Sequence, residues 1–463
     1  MILSPTLYCC QIILRGRCRQ VVPLATRVYS GTSTISNSCN CETQSMATSQ
    51  RVRQTDAPII VKTQKLTASA SDVVSLAQGI VHWKPPPQAM DAVVAAAGDH
   101  KLNQYGSGAG LPALVKALKH KLAIQNGLEK CEVMVTAGAN QAFTNVVLTL
   151  LDSASKAVLF KPYYFNHLMA IQMTGGADNV IFGRCDAESW HPDLSWLEQC
   201  LQGKEKPTMV VLVNPNNPTG VLMTKDELQR ARHLCEAAGV WLVVDNTYED
   251  FTYDGREHTC VSGPNVINIF SMSKAFGMMG WRLGYIAYPD AELAADSELG
   301  FQMAKVQDTI PICVTQISQV AALGALEAGS PWVKQQVQGL AKNREAILDA
   351  LSPLACGKDS GAAGGEGAIY FWAKLPSGCE EDEAVVSWLV KEHKVCVVPG
   401  SACGCPGYVR VAFANLEESK CKQAAAQLKE GLRQLVDQGS KLLQTSPASR
   451  NGVGSTAAPC EDM

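Results

Sequence analysis

Beyond a polar N-terminal stretch, short runs of β-branched and aliphatic residues alternate with longer stretches of helical periodicity. That alternation is the pattern of an α/β fold with a mostly parallel sheet flanked by helices. Strands are predicted at Glu132 to Thr136, Ala157 to Phe160, Met209 to Val213, Val240 to Asp245, Val266 to Phe270 and Tyr285 to Tyr288. A cluster of Gly, Pro, Asn or Ser follows each, so ligand-facing loops should collect at one edge of the sheet. Helices are predicted at Pro112 to Gln125, Lys225 to Ala238 and Ala291 to Val306.

A long apolar-periodic stretch, Trp332 to Leu351, reads as a connecting helix into a smaller α+β unit. That unit comprises a Gly-rich turn (Ser360 to Gly367), a strand (Ala368 to Lys374), a helix (Glu381 to His393), a strand (Val395 to Val398) and a final helix (Glu417 to Gln438). The expected organisation is a leader over 1–50, an N-terminal segment of the small domain over 51–95, a large domain over 96–330, a C-terminal small domain over 331–438 and a disordered tail over 439–463. The tail is rich in Ser, Gly, Ala and Pro, too poor in apolar surface to pack.

With 463 residues the chain has ample length for a large core, and its net charge of -3 calls for neither nucleic acid nor an anionic membrane. No apolar run reaches the roughly 18 residues needed to cross a bilayer. The 18 cysteines are mostly scattered singly and form no C-x-x-C pair, which favours a reducing compartment and small apolar cysteines over disulfides or zinc, so no metal site is expected. The first 41 residues hold Arg15, Arg17, Arg19 and Arg27, many Ser and Thr, and no acid before Glu42. This is the composition of an organellar transit peptide, and Arg27 to Ser30 resembles a mitochondrial processing site. A mitochondrion is favoured over a chloroplast, with the cytoplasm as the alternative if the tail is not a transit peptide.

The sharpest chemical signal is Ser271-Met272-Ser273-Lys274 at a strand end, followed by Gly277, Gly280, Trp281, Arg282 and Gly284. A lone lysine there is ordinarily a surface residue, because lysine is almost never buried unpaired. Its company alters that reading. Asn214 to Gly220 (NPNNPTG) is a rigid turn carrying side-chain amides, or simply a loop. Asp245 ends an apolar strand at the expected ligand edge, where a helix cap is the plainer explanation, and Tyr248 follows one turn on. Gly138, Ala139 and Asn140 open a helix whose N–H groups suit a phosphate, though glycine turns of this kind are common.

In this order and spacing, these elements resemble the class I and II aminotransferases of fold type I, which use pyridoxal 5′-phosphate, over about Leu76 to Gln438. The resemblance implies that Lys274 binds the cofactor covalently and that Asp245 partners the pyridine nitrogen. It implies that Asn217 and Tyr248 donate to the phenolic oxygen and that Tyr164 stacks on the ring. Ala139, Asn140, Ser271, Ser273 and Arg282 match the phosphate-binding positions. Tyr105 matches a tyrosine that reaches the neighbouring subunit's phosphate, which implies a homodimer with shared sites. Arg410, in GYVRVAF, matches the arginine that grips the substrate α-carboxylate, since its planar fork pairs bidentately as lysine cannot. Lys274, Asp245 and Tyr248 are thus the expected catalytic set.

The segments SLAQGIVHWKPPP, VTAGANQAF, KPYYFN, VVDNTYE, GMMGWRLGYIAY, KVQDTIPIC and EGAIYFWAKLP resemble the aromatic aminotransferases of plants more closely. Those enzymes pair aromatic amino acids and methionine with 2-oxo acids such as indole-3-pyruvate or phenylpyruvate. Gly79, Trp83 and Asn217 are the expected substrate contacts beside Arg410, with His82 next to them, although Trp83 equally fits a simple packing role. Three alternatives remain. An aspartate or prephenate aminotransferase needs a second cation, and none is identifiable. A C–S lyase on the same fold keeps every cofactor residue. A non-catalytic regulator carries a DNA-binding module, and the preceding fifty or so residues show no helix-turn-helix pattern.

Overall fold

The computed structural model describes residues 48–355 and 361–444. Most of the expected leader, part of the Gly-rich turn and residues 445–463 of the expected tail lie outside them. Seven strands form the main sheet: β1 (Cys131–Thr136), β2 (Ala157–Lys161), β3 (Val180–Arg184), β4 (Met209–Val213), β5 (Trp241–Asp245), β6 (Val266–Ser271) and β7 (Gly284–Pro289). They lie in the order β1-β7-β6-β5-β4-β2-β3, and β7 alone runs antiparallel to both its neighbours.

The strands read as continuous apolar runs because both faces are covered. Val211, Val243, Ile267 and Ile269 pack on one face with Phe143, Val146 and Val147 of the helix Ala139–Leu150 and with Ile171 of the helix Phe165–Gly175. Val210, Leu212, Leu242 and Val244 pack on the other with Leu228, Ala231 and Cys235 of the helix Lys225–Ala238. That helix starts in a capping box: Thr224 accepts from the Glu227 N–H while Glu227 accepts from Thr224. Its end is a left-handed glycine, Gly239.

The smaller sheet is antiparallel and four-stranded, in the order Val398–Pro399, Tyr408–Ala412, Tyr370–Lys374, Ala362–Gly364. The expected strand Val395 to Val398 is two: Val395–Cys396 pairs in parallel with Val74–Ser75, and Val398–Pro399 pairs with Tyr408–Ala412.

Other expectations also change. The helix expected from Ala291 starts at Leu299, because Asp290 and Asp296 turn the chain by accepting from backbone N–H groups two or three residues on. The connecting helix expected over Trp332 to Leu351 begins much earlier, as Gln316–Gln338, is broken at Gly329 (φ 69°) ahead of Pro331, and is followed by a separate helix, Ala341–Leu351. The tail expected to lack structure from Gly439 still forms a helical turn at Lys441–Gln444.

Candidate active site

Parallel strands end at a common edge, and the loops after them converge there. Lys274 lies three residues past β6, Asp245 ends β5, and Asn217 follows β4. Tyr164 follows β2, and Ala139 and Asn140 follow β1. Because β7 runs the other way, its beginning rather than its end meets the site, which brings Arg282 to the same edge. Together with Tyr248, Ser271, Ser273, Gly79 and Arg410, these residues line one cavity of about 340 Å³.

At one end of the cavity the helix Ala139–Leu150 begins. Its N-cap Gly138 has φ 87°, and a Cβ there would lie 2.5 Å from Arg282 Nη2, so the turn is reserved for glycine. Arg282, itself left-handed at φ 53°, donates to the Met279 carbonyl at 3.0 Å and the Ala137 carbonyl at 3.4 Å. Across β7, a Cβ on Gly284 would sit 2.8 Å from Ala139 N, so glycine lets the helix start close against the sheet. A helix N-terminus, a guanidinium and the hydroxyls of Ser271 and Ser273 make a cradle for a phosphate.

Asp245 also lines the cavity; its Oδ2 stands 3.1 Å from His167 Nε2, and its Oδ1 accepts from the Thr247 N–H at 2.9 Å. Burial opposes the charged carboxylate, but the hydrogen bond and charge of His167, joined by Thr247, outweigh it and hold Asp245 below the usual carboxylate range. Lys274 shows the reverse balance: burial first, then the nearby Arg282 and Arg410, lower its amine to about 8 against the pull of Asp245.

Arg410 is 1% exposed. Its Nη1 donates to Asn217 Oδ1 at 2.9 Å and its Nη2 to the Ala77 carbonyl at 2.7 Å, while Nε has no partner. Its guanidinium lies 4.4 Å from the centre of the Tyr370 ring. Among the described residues no carboxylate pairs with it, an arrangement that favours an incoming anion.

Two expected site residues lie elsewhere. Trp83 does not line the cavity: it stacks on Phe251 at 6.1 Å and its Nε1 donates to the Ala275 carbonyl at 3.2 Å, so its apolar surface is spent on packing. Its neighbour His82, also outside the lining, has Nδ1 3.1 Å from the Ala414 carbonyl oxygen. Tyr105 is 81% exposed and also stands outside its own chain's cavity. Conversely, sequence reasoning passed over His167, Thr247, Tyr370, Ile60 and Gln64. His167 was the findable one: it sits one helical turn after Tyr164, in the same run as that candidate.

The residues present fit pyridoxal phosphate: a phosphate cradle, an ionised carboxylate, an amine of lowered pKa and a buried arginine without a counter-ion among the described residues. The chain matches the family model for aminotransferase class I and II over residues 71–428. It belongs to the class I and II aminotransferases and is a pyridoxal 5′-phosphate-dependent transaminase. Among its relatives, it is 48% identical over 392 residues to an aromatic aminotransferase of Arabidopsis thaliana, covering 84% of this chain and 98% of that one. It is 31% identical to the aspartate aminotransferase of Geobacillus stearothermophilus, covering 77% of this chain and 91% of the relative. Of solved structures, the aromatic aminotransferase of Pyrococcus horikoshii superposes with a TM-score of 0.70 at 26% identity, over 82% of this chain and all of that one. The aspartate aminotransferase of Thermus thermophilus with maleate gives 0.73 at 26% identity, over 84% and 100%.

Proposed function

We propose that this transaminase moves the amino group between an aromatic amino acid or methionine and a 2-oxo acid such as indole-3-pyruvate or phenylpyruvate. The observation that carries the reading is the charge inventory of the cavity. Its lining cations are Lys274, Arg282 and Arg410. One holds the cofactor, one its phosphate and one the α-carboxylate, which leaves none for a distal carboxylate among the described residues of the same chain. Ile60, Ile80, Phe165 and Val213 give the remaining wall an apolar character suited to an aryl or thioether side chain. The name of the Arabidopsis relative supports the same substrate class.

Bound pyridoxal phosphate supplies an electron-withdrawing ring that makes the substrate Cα–H acidic. Asp245, kept ionised by His167, holds a proton on the pyridine nitrogen. Ala139, Asn140, Ser271, Ser273 and Arg282 hold the phosphate, and Tyr164 covers the ring. Asn217 accepts from Arg410 through Oδ1, so its NH₂ is the donor left for the phenolic oxygen, alongside Tyr248. Arg410 fixes the substrate carboxylate, with Gly79 beside it. The Lys274 amine, lowered to about 8, accepts the Cα proton near neutral pH.

The enzyme acts as a homodimer in which Tyr105 reaches the phosphate held by the second subunit; its 81% exposure supports this role. The regions 51–95 with 331–438, and 96–330, act as small and large domains. The arginine-rich, acid-poor first 41 residues direct the protein to an organelle, the mitochondrion in preference to the chloroplast.

The test is a panel of amino acids and 2-oxo acids given to the protein lacking residues 1–47, with keto-acid formation followed. Phenylalanine, tryptophan and methionine should be turned over. Turnover of aspartate with failure of phenylalanine and methionine would reverse the substrate assignment, and release of ammonia in place of amino transfer would indicate a lyase.

A further inference from the structure

Tyr370 was expected only as part of a strand, yet it touches three parts of the site. Its hydroxyl lies 2.5 Å from the hydroxyl of Tyr248, its ring lies 4.4 Å beneath the Arg410 guanidinium, and it is 1% exposed. Room for that hydroxyl is reserved by Gly79, where a Cβ would fall 2.0 Å from Tyr370 Oη.

A count of protons ties the direction of the tyrosine pair to the role of Tyr248. Two hydroxyls carry two protons; one lies in the bond between them, and one is left to point elsewhere. If Tyr248 donated to Tyr370, the spare proton would be on Tyr370, and Tyr248 would have none to offer the cavity. Both residues line the cavity; if Tyr370 donates to Tyr248, the spare proton is on Tyr248, as the donor role proposed for it requires. With Tyr248 as the donor to an acceptor in the cavity, the second arrangement satisfies both hydroxyls.

We propose that Tyr370 is a positioning residue: by donating to Tyr248 it turns the Tyr248 proton toward the cofactor's phenolic oxygen. It also joins that proton to the carboxylate-gripping Arg410, which meets the other phenolic-oxygen donor through Asn217 at 2.9 Å. The proposal rests on Tyr248 serving as a donor to the phenolic oxygen.

Tyr370→Phe keeps the ring and the cation stack and removes only the hydroxyl. In the holoenzyme, the pH midpoint of the cofactor's visible absorbance is read for wild type, Tyr248→Phe, Tyr370→Phe and the double variant. Donation to an anionic oxygen stabilises the form that has lost its proton, so both single variants should raise the midpoint, Tyr248→Phe more. Because Tyr370 acts through Tyr248, the double variant should match Tyr248→Phe, whereas independent effects would add. The kcat of Tyr370→Phe should fall about two- to tenfold, the range for one neutral hydrogen bond. A midpoint unmoved in Tyr370→Phe but moved in Tyr248→Phe overturns the proposal, as does an additive double variant. A midpoint unmoved in Tyr248→Phe overturns the Tyr248 assignment itself.

Discussion

The Nε2 atom of His167 lies 3.1 Å from Oδ2 of Asp245, and both side chains are nearly sealed from solvent. A pair of this kind sets the ionisation of the carboxylate, and its loss has a sign that can be worked out. Asp245 has a folded pKa below its unfolded value, so its contribution to stability is present above about 3.9 and disappears as pH falls through the folded value. His167→Leu removes the strongest force lowering it. The acid limb of the stability curve should then move to higher pH, and cofactor affinity should fall about 10- to 100-fold, the range for a hydrogen bond to a charged group. Acid titration followed by circular dichroism, with cofactor release by equilibrium dialysis, measures both; no change in either means the pair is inert.

Lys274 gives a second pH dependence. An amine lowered to about 8 is half neutral there, and only the neutral form attacks an aldehyde. Apoenzyme mixed with pyridoxal phosphate should therefore capture it at a rate that rises with pH and levels off above about 8. An ordinary lysine would keep climbing to about 10.4. Stopped-flow absorbance distinguishes the two, and Lys274→Ala should develop no enzyme-bound visible band at any pH.

Arg410 is a buried cation without a counter-charge among the described residues. Arg410→Met should raise KM for every substrate bearing an α-carboxylate by about 10²- to 10³-fold, as for loss of one partner of a buried charge pair. The same change should leave the melting temperature equal or higher, since it removes an unpaired buried charge. Steady-state kinetics together with calorimetry checks the opposite signs; a large drop in melting temperature would mean that the guanidinium is chiefly structural.

Trp83 should behave in the converse manner. Its stack on Phe251 and its bond to the Ala275 carbonyl make it a packing residue. Trp83→Ala should destabilise the fold by about 3–5 kcal/mol. The ratio of kcat/KM for phenylalanine to that for methionine should stay unchanged. Denaturant melts and paired assays decide, and a changed ratio would return Trp83 to the substrate pocket.

The sheet was legible where both faces are buried, because strands such as Val210 to Val213 read as uninterrupted apolar runs. It was illegible at the edge: β3 has Phe182 at 40% exposure and carries Gly183 and Arg184, so no apolar run announces it. Strand direction was hidden as well, since nothing in Gly284–Pro289 marks it as antiparallel. Site residues whose chemistry is rare at a strand end, such as Lys274 and Asp245, stood out. Tyr370 and His167 did not, because an aromatic ring inside an apolar run looks like core until its polar atom has a neighbour.

The helix Ile59–Ala68 places Ile60 and Gln64 in the wall of the reaction chamber, and Lys62 on its outer side pairs with Glu383 at 3.3 Å. Shortening the amino end therefore has a hard limit. Forms that start before Pro58 keep this wall, whereas a form that starts after Ala68 would lose it and leave the reactive amine more open to solvent in place of substrate.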